Sequence, residues 1–578
     1  MNNKKRAGTM EASFWSDKRP AGVAETIDPD RYPNLLAIIE DLLEKNASRP
    51  AFTGIGHTLT YGDIDRYSQQ FANYLREHTS LKPGDRIAIQ MPNLLQYPIA
   101  VYGAIRAGLT IVNTNPLYTA REMLHQFNDS GAKALVFMDN FGHLVEEVVE
   151  ETGIEHLIVT RVADMLPFAK RTLINFAAKH VKKMVEPFNL PKAVPFRDAL
   201  SKGEACQTIP LANPPSPEDP AVLQYTGGTT GVAKGAVLTQ RNLIANMLQA
   251  RSVLSQLDAN GQPVQQVGSE IIVAPLPLYH IYAFTVHLLC MPYMGNQNVL
   301  IANPRDTKTF IKFIKPWQFT GFIGLNTLFV SLLNHPDFKE CDFSKLKLTL
   351  SGGTALQKET GIRWQEFTGC HVSEAYGLTE CSPAVCMNPF GEIAQLGTAG
   401  LPVPSTELKV INDEGEAQAV GDRGELCVRG PQVMQGYWKR PEATAEVLSE
   451  DGWLKTGDVA IIKEDGFIEI VDRIKDMILV SGFNVYPNEI EDVVASFDRV
   501  ENCAAIGIPD DVTGERIKLF VIPSDSGLKE EEVVAYCRDH LTAYKVPKDI
   551  EFRAELPMTP VGKILRKDLR KEELEKAS

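Results

Sequence analysis

Tyr225-Thr226-Gly227-Gly228-Thr229-Thr230-Gly231-Val232-Ala233-Lys234-Gly235 crowds glycines, hydroxyls and one lysine into a single short stretch. Glycines let backbone N–H groups approach phosphate oxygens, threonine hydroxyls add donors or a metal contact, and Lys234 supplies a mobile positive charge. The stretch therefore reads as a nucleotide-binding loop. It is not a Walker loop, because no glycine stands five residues before a Gly-Lys-Ser/Thr triplet. Lys234 instead leads into Gly235-Ala236-Val237-Leu238-Thr239, a strand pattern rather than a helix. The spacing predicts a connection between two strands, and on its own such a loop could be an ordinary hairpin turn.

Four further segments follow in order: Glu374-Ala375-Tyr376-Gly377-Leu378-Thr379-Glu380, Thr456-Gly457-Asp458, Asp472-Arg473, and Pro557-Met558-Thr559-Pro560-Val561-Gly562-Lys563-Ile564-Leu565-Arg566. Singly, each has a plain alternative: a solvated glutamate in a turn, a Gly-Asp turn, a surface ion pair, a cation beside a basic terminal helix. Taken in order, they resemble the signatures of the adenylate-forming superfamily, whose members include acyl-CoA synthetases, firefly luciferase and the adenylation domains of peptide synthetases.

The resemblance implies that ATP, Mg2+ and CoA are used. Thr226, Gly227, Gly228, Thr229, Thr230, Gly231 and Lys234 would cradle phosphates, with Tyr225 at the head of the loop. By the same resemblance Tyr376, after Gly352 and Gly353 and before Gly377, packs on the adenine. Thr379 contacts the α-phosphate, Glu380 and Thr229 hold the metal, and Asp458 and Arg473 take the ribose hydroxyls. Lys563 becomes the catalytic lysine, Lys475 a hinge, and Ser481-Gly482-Phe483 a lining for the pantetheine channel. One carboxylate and one hydroxyl suit a hard cation that keeps water and bridges phosphates.

A carboxylate and an α-phosphate that must touch repel each other. Two unit charges about 4 Å apart interact by about 4 kcal/mol at an effective dielectric near 20, close to three powers of ten in rate. A lysine contacting both offsets much of this, which is the role the resemblance gives Lys563.

The 578 residues are 44% hydrophobic and 23% charged with a formal charge of -14, which fits a multi-core enzyme and argues against nonspecific nucleic-acid binding. Nine scattered cysteines without a CxxC pair predict reduced thiols in a cytoplasmic setting. Gly8 to Asp30 has no apolar core, so no signal peptide is expected, and no run of about 18 apolar residues predicts a membrane span.

Apolar runs at Arg86 to Gln90, Ala134 to Met138, Ile271 to Ala274 and Leu346 to Leu350 alternate with helical patterns, an α/β arrangement. The last runs into Ser351-Gly352-Gly353, a usual place for a ligand at the carboxyl edge of a sheet. After Asp472 the pattern restarts, with strands at 504–508 and 518–522 and a helix near 530–541. The expected division is a large N-terminal domain, 1–472, of several subdomains, and a small mobile α+β lid, 473–578, that carries Lys563. Moving such a lid would let one site serve adenylation and then thioester formation.

His280, Tyr282 and Phe284 resemble the aromatic segment beside the family's acyl pocket, with Phe284 where some long-chain members place a gating tryptophan; core aromatics are the plain alternative. Gly321 and Gly324 bracket an apolar stretch that would suit a tunnel wall for an alkyl chain. The whole chain is similar to the superfamily's bacterial long-chain fatty acid:CoA ligases, notably at Met91-Pro92-Asn93 and Asp476 to Asp492, so a long-chain fatty acid is the expected substrate. Medium-chain or aryl acids, a carrier-protein thiol as acceptor, and a non-catalytic fatty-acid binder stay open, as does a homodimer.

Between 161 and 197 eight lysines and arginines face only Asp164 and Glu186, while Leu173, Ala177, Val181, Met184 and Phe188 recur at helical spacing. This predicts an amphipathic basic helix that docks peripherally on anionic membrane, on its inner face. The alternative is a helix packed on the body with a solvated basic face.

Overall fold

The computed structural model describes residues 13–226, 233–510, 512–559 and 562–577. Gly227, Gly228, Thr229, Thr230 and Gly231 of the glycine-rich loop lie outside the described residues.

Two large sheets dominate the chain. The first runs, edge to edge, through Gly436–Tyr437, Lys234–Thr239, Pro220–Thr226, Thr110–Asn113, Arg86–Gln90, Ala132–Met138, His156–Thr160 and Val194–Pro195. The strands flanking the glycine-rich loop pair antiparallel, with Thr226 opposite Lys234, so the loop does join two strands as expected. The second sheet has a parallel middle that includes Ile271–Ala274, Gly321–Gly324, Leu348–Gly352 and Val372–Gly377. Its strand at Leu348–Gly352 starts two residues later than the sequence pattern suggests, because the Leu346 N–H bonds back to Phe343 in a turn.

Helix Gln96–Arg106 is buried along its whole length and helix Gln240–Val253 almost so, as apolar residues all round a helix require. Their buried amides are satisfied: Gln96 donates to Thr160 Oγ1 at 3.0 Å, and Asn246 donates to the Ala384 carbonyl at 2.9 Å. Gln249 reaches the Pro404 carbonyl at 2.8 Å, which ties the helix to the segment leading into a third, four-stranded antiparallel sheet. In that sheet Leu454–Ile462 pairs with Ile468–Arg473, and Asp458 falls opposite Arg473.

Beyond the single turn Ile474–Asp476 the chain builds a core of its own, with Ile478, Ile490, Leu519 and Val533 in a cluster distinct from that of the two large sheets. Strands Val500–Asp510 and Gly514–Pro523 form its long hairpin, and helices Pro487–Ala495, Glu530–His540 and Arg566–Ala577 cover it. Among the described residues no helix is long and apolar enough to cross a membrane.

The basic segment departs from its expected form. A helix at Phe168–Phe176 widens into a looser turn at Ala177–Val181, and Lys183, with φ of +50°, ends it. Met184 and Phe188 therefore fall outside the helix and do not continue its face. No residue of the helix or of the wide turn is fully buried, but Ile174, Asn175, Ala177 and Ala178 are half-buried, so the segment rests on the body while much of its apolar surface stays exposed.

Candidate active site

Asp458 is the fixed point of the site. It is buried, and its Oδ2 accepts from the Tyr376 hydroxyl at 2.5 Å while its Oδ1 lies 3.2 Å from Arg473 Nε. Burial, reinforced by the Asp458 carboxylate, pushes the Tyr376 phenol well up, so it remains a donor at neutral pH. Tyr376 comes from strand Val372–Gly377 of the second sheet and the other two from the third, so the cluster forms where the sheets meet. The Thr456-Gly457-Asp458 stretch of strand Leu454–Ile462 is pinned by the Gly457 N–H to Glu425 at 3.0 Å and by Thr456 Oγ1 to the Leu426 carbonyl at 2.8 Å.

Gly377 permits the next step of the chain. A Cβ there would stand 2.2 Å from the Pro383 carbonyl oxygen, so only glycine lets the strand close against the Ser382-Pro383 turn. Inside that turn the one-turn helix Thr379–Cys381 presents Glu380. Glu380 Oε1 accepts from the Tyr437 hydroxyl at 2.7 Å, and its carbonyl accepts from the Met434 N–H at 2.7 Å. The Lys234 ammonium stands 5.2 Å from the centre of the same Tyr437 ring. Tyr437 thus links the residue expected to hold a metal to the lysine expected to meet phosphate. Sequence reasoning missed it, since its place follows from strand Gly436–Tyr437 pairing beside Lys234–Thr239.

Lys563 arrives from the C-terminal core on a tight loop. The Thr559 N–H donates to the Lys563 carbonyl at 2.7 Å, and the Lys563 N–H donates to Thr559 Oγ1 at 3.0 Å. Gly562, with φ of +76°, meets the body there: its carbonyl accepts from Thr327 Oγ1 at 3.4 Å, and a Cβ would come 2.7 Å from that hydroxyl. Burial first and the Arg473 guanidinium second bring the Lys563 ammonium down to about 8, against the opposite pull of Asp458 and Glu380. All three lie within its electrostatic reach, as does His280, which burial and then the Lys563 charge drive down to about 3. His280 is therefore neutral, and its Nδ1 accepts from the Tyr282 N–H at 3.4 Å.

Other expected residues are placed differently. Tyr225 turns its ring into the core, donates to Asp129 at 2.7 Å and lies under Gly235, so toward a nucleotide it offers only backbone. Phe284 is fully buried at the head of a wide helical turn, Phe284–Cys290. In that turn His287 Nδ1 bonds Asn298 Oδ1 at 2.8 Å, while its Nε2 is buried without a partner among the described residues. Gly352 admits the Tyr282 ring, and Gly324 and Gly321 admit Phe329 and Ile272, close approaches that a side chain would block. Gly353, with φ of +87°, faces open space. Lys475, Ser481 and Gly482 are exposed, the latter two in a hairpin turn of the C-terminal core, and they are not gathered with the cluster around Asp458.

The profile of the AMP-binding enzyme family matches residues 39–438, and that of the AMP-binding enzyme C-terminal domain matches 489–563. The chain belongs to the AMP-binding enzyme family. This AMP-binding enzyme is 50% identical over 558 residues to a long-chain-fatty-acid–CoA ligase of Salmonella typhimurium, with 96% of this chain and 98% of the relative covered. A protein of the same description from Bacillus subtilis is 36% identical over 94% of this chain and 95% of the relative. A feruloyl-CoA synthase from Amycolatopsis is 32% identical over 89% and 94%. Among solved structures, an anthranilate CoA ligase in complex with anthranoyl-AMP superposes with a TM-score of 0.84 at 24% identity, covering 96% of this chain and 100% of that one. The AMP-binding enzyme thus has the mixed α/β fold of its family, with a large N-terminal domain and a small C-terminal one.

Proposed function

We propose that this AMP-binding enzyme is a long-chain fatty acid:CoA ligase, which forms fatty acyl-AMP and pyrophosphate from ATP and then transfers the acyl group to CoA with release of AMP. The observation that carries the reading is 50% identity along nearly the full length of ligases of that description, in a chain that brings Lys563 into reach of Asp458, Arg473 and Glu380.

In the first step the fatty carboxylate attacks the α-phosphorus in line. Asp458 accepts from the ribose hydroxyls while Arg473 and Tyr376 hold the Asp458 carboxylate in place. Lys234 and Lys563 approach from opposite domains and offset the repulsion between the carboxylate and the phosphates. His280, neutral, adds no competing charge beside Lys563. Glu380 and Thr229 would hold Mg2+. Tyr437 occupies Glu380 Oε1 and leaves Oε2 for a hard cation, a fit for a metal that needs few protein oxygens. When bound, the ion supplies neutralisation of phosphate charge. In the second step the thiol of CoA forms a bond to the acyl carbon, and the bond to AMP breaks. Lys563 is not required there, so we place a hinge at Lys475, between 1–472 and 473–578, that removes it and brings Ser481 and Gly482 toward the site.

The test is pyrophosphate and acyl-CoA formation with ATP, Mg2+ and acids of graded chain length plus ferulate, with and without CoA. Thioester peaking at long chains supports the reading. A peak at ferulate moves the enzyme to aryl acids, pyrophosphate without a CoA product points to another acceptor, and no turnover of ATP with any acid leaves a binding protein.

A further inference from the structure

The segment 168–184 inverts the usual rule for a surface helix, which turns its apolar stripe to the core. Phe168, Leu173, Phe176, Val181 and Met184 are each between 50 and 74% exposed, the densest run of large exposed apolar residues in the described chain. Beside the half-buried Ile174, Ala177 and Ala178, what holds the segment to the body is polar or lies at its edges. The Asn175 side chain accepts from the Ala163 N–H at 3.0 Å and donates to Asp164 at 3.2 Å, while Asn140 donates to the Met184 carbonyl at 2.9 Å. Phe188, expected on the helical stripe, instead turns inward as an anchor, its ring lying where a Cβ of residue 142 would be, against Gly142. The outward face is thus fastened on the body with its apolar side chains free.

Cations surround these side chains. Lys170, Lys179, Lys182 and Lys183 are exposed, and among the described residues none pairs with a carboxylate within ion-pair distance. Arg171 lies 5.4 Å over the Phe168 ring, at the boundary between the two characters. Phenylalanine and leucine flanked by lysines on a short helix are the chemistry of a helix lying in a membrane interface, with rings among the acyl chains and ammonium groups among anionic headgroups. A second copy of the chain fits less well, because a two-fold contact on this face would set Lys179, Lys182 and Lys183 against their own like charges.

We infer that the exposed apolar face of Phe168, Leu173, Phe176 and Val181, with Met184 exposed just beyond the helix and Lys170, Lys179, Lys182 and Lys183 around it, docks the enzyme reversibly on an anionic bilayer. It rests on the proposed function in one respect only: a long-chain acid partitions into bilayers, so docking would bring the enzyme to its substrate. Docking itself is measurable without turnover.

The experiment is flotation of the full chain with vesicles of phosphatidylglycerol and phosphatidylethanolamine, compared with vesicles of phosphatidylcholine alone. The wild type is expected to float with the anionic vesicles and to be released by raised salt. The triple variant Leu173→Ser, Phe176→Ser, Val181→Ser should lose at least tenfold in bound fraction on anionic vesicles. Lys179→Glu, Lys182→Glu, Lys183→Glu should lose a similar amount and with it the salt dependence. ATP turnover with a water-soluble short-chain acid, equal to wild type in both variants, shows that they are folded. Wild type that does not float, variants that float as it does, or a concentration-dependent dimer that the serine variant abolishes in place of any vesicle binding would overturn the inference. If docking holds and the chain-length panel fails, only the ligase reading falls.

Discussion

The two cations that frame the site are held in opposite ways. Arg473 sits on a strand directly across from Asp458, and its guanidinium is paired with that carboxylate. Lys563 sits on a loop of the separate C-terminal core, meets the body through a long hydrogen bond at Gly562, and among the described residues has no carboxylate within ion-pair distance. A charge paired within its own sheet can fix where a ligand lies. A charge left unpaired on a separate core can be present for one step and absent for the next.

The sharpest way to break this contrast is Lys563→Gln. Pyrophosphate release should fall by about three powers of ten, the size of the repulsion it offsets. Conversion of synthetic acyl-AMP and CoA to thioester should stay within about threefold of wild type. Equal losses in both half-reactions would make Lys563 as static as Arg473. Asp458→Ala comes next: it removes the acceptor of Tyr376 and the partner of Arg473 together, and charged hydrogen bonds of about 1.5–3 kcal/mol predict an ATP KM about 10- to 100-fold higher. Both half-reactions should suffer, since AMP occupies the same ribose site in each.

A third prediction concerns pH. Lys563 titrates near 8, so its charge is present below that value and is lost as pH rises through it. Adenylation should then drop by up to about tenfold per pH unit above 8, whereas the thioester half-reaction should show no such decline. Parallel profiles for the two half-reactions would count against a role confined to the first. Smallest is Tyr437→Phe, which removes one hydrogen bond to Glu380 worth about 1 kcal/mol and should raise the Mg2+ concentration for half-maximal rate by about fivefold.

The site was legible where chemistry needs a local residue type. Gly457-Asp458, the Glu380 turn and the Lys563 loop all carry their own glycine or threonine beside the charged side chain, although Gly457-Asp458 lies inside strand Leu454–Ile462 rather than in the turn that its residue pair suggests. Tyr437 was not legible, because nothing around it states that a two-residue strand will pair beside Lys234. Nor was the inward turn of the Tyr225 ring, which depends on Asp129 at a distance in the chain. For the basic helix, helical spacing gave the stripe of Leu173, Ala177 and Val181 but not which way it would face. The positive φ at Lys183, a residue type that rarely adopts it, cut Met184 and Phe188 off the stripe.

The placement of Lys563 has a thermodynamic corollary. Its ammonium titrates near 10.5 in water and near 8 where the loop has carried it, so at pH 7 bringing the charged lysine into an empty site costs about 3 kcal/mol, a cost relieved only between pH 8 and 10.5. Substrate anions in the site oppose that cost. The pose that buries the catalytic charge is therefore least favourable with the site empty and is stabilised by the reactants whose negative charge the lysine meets.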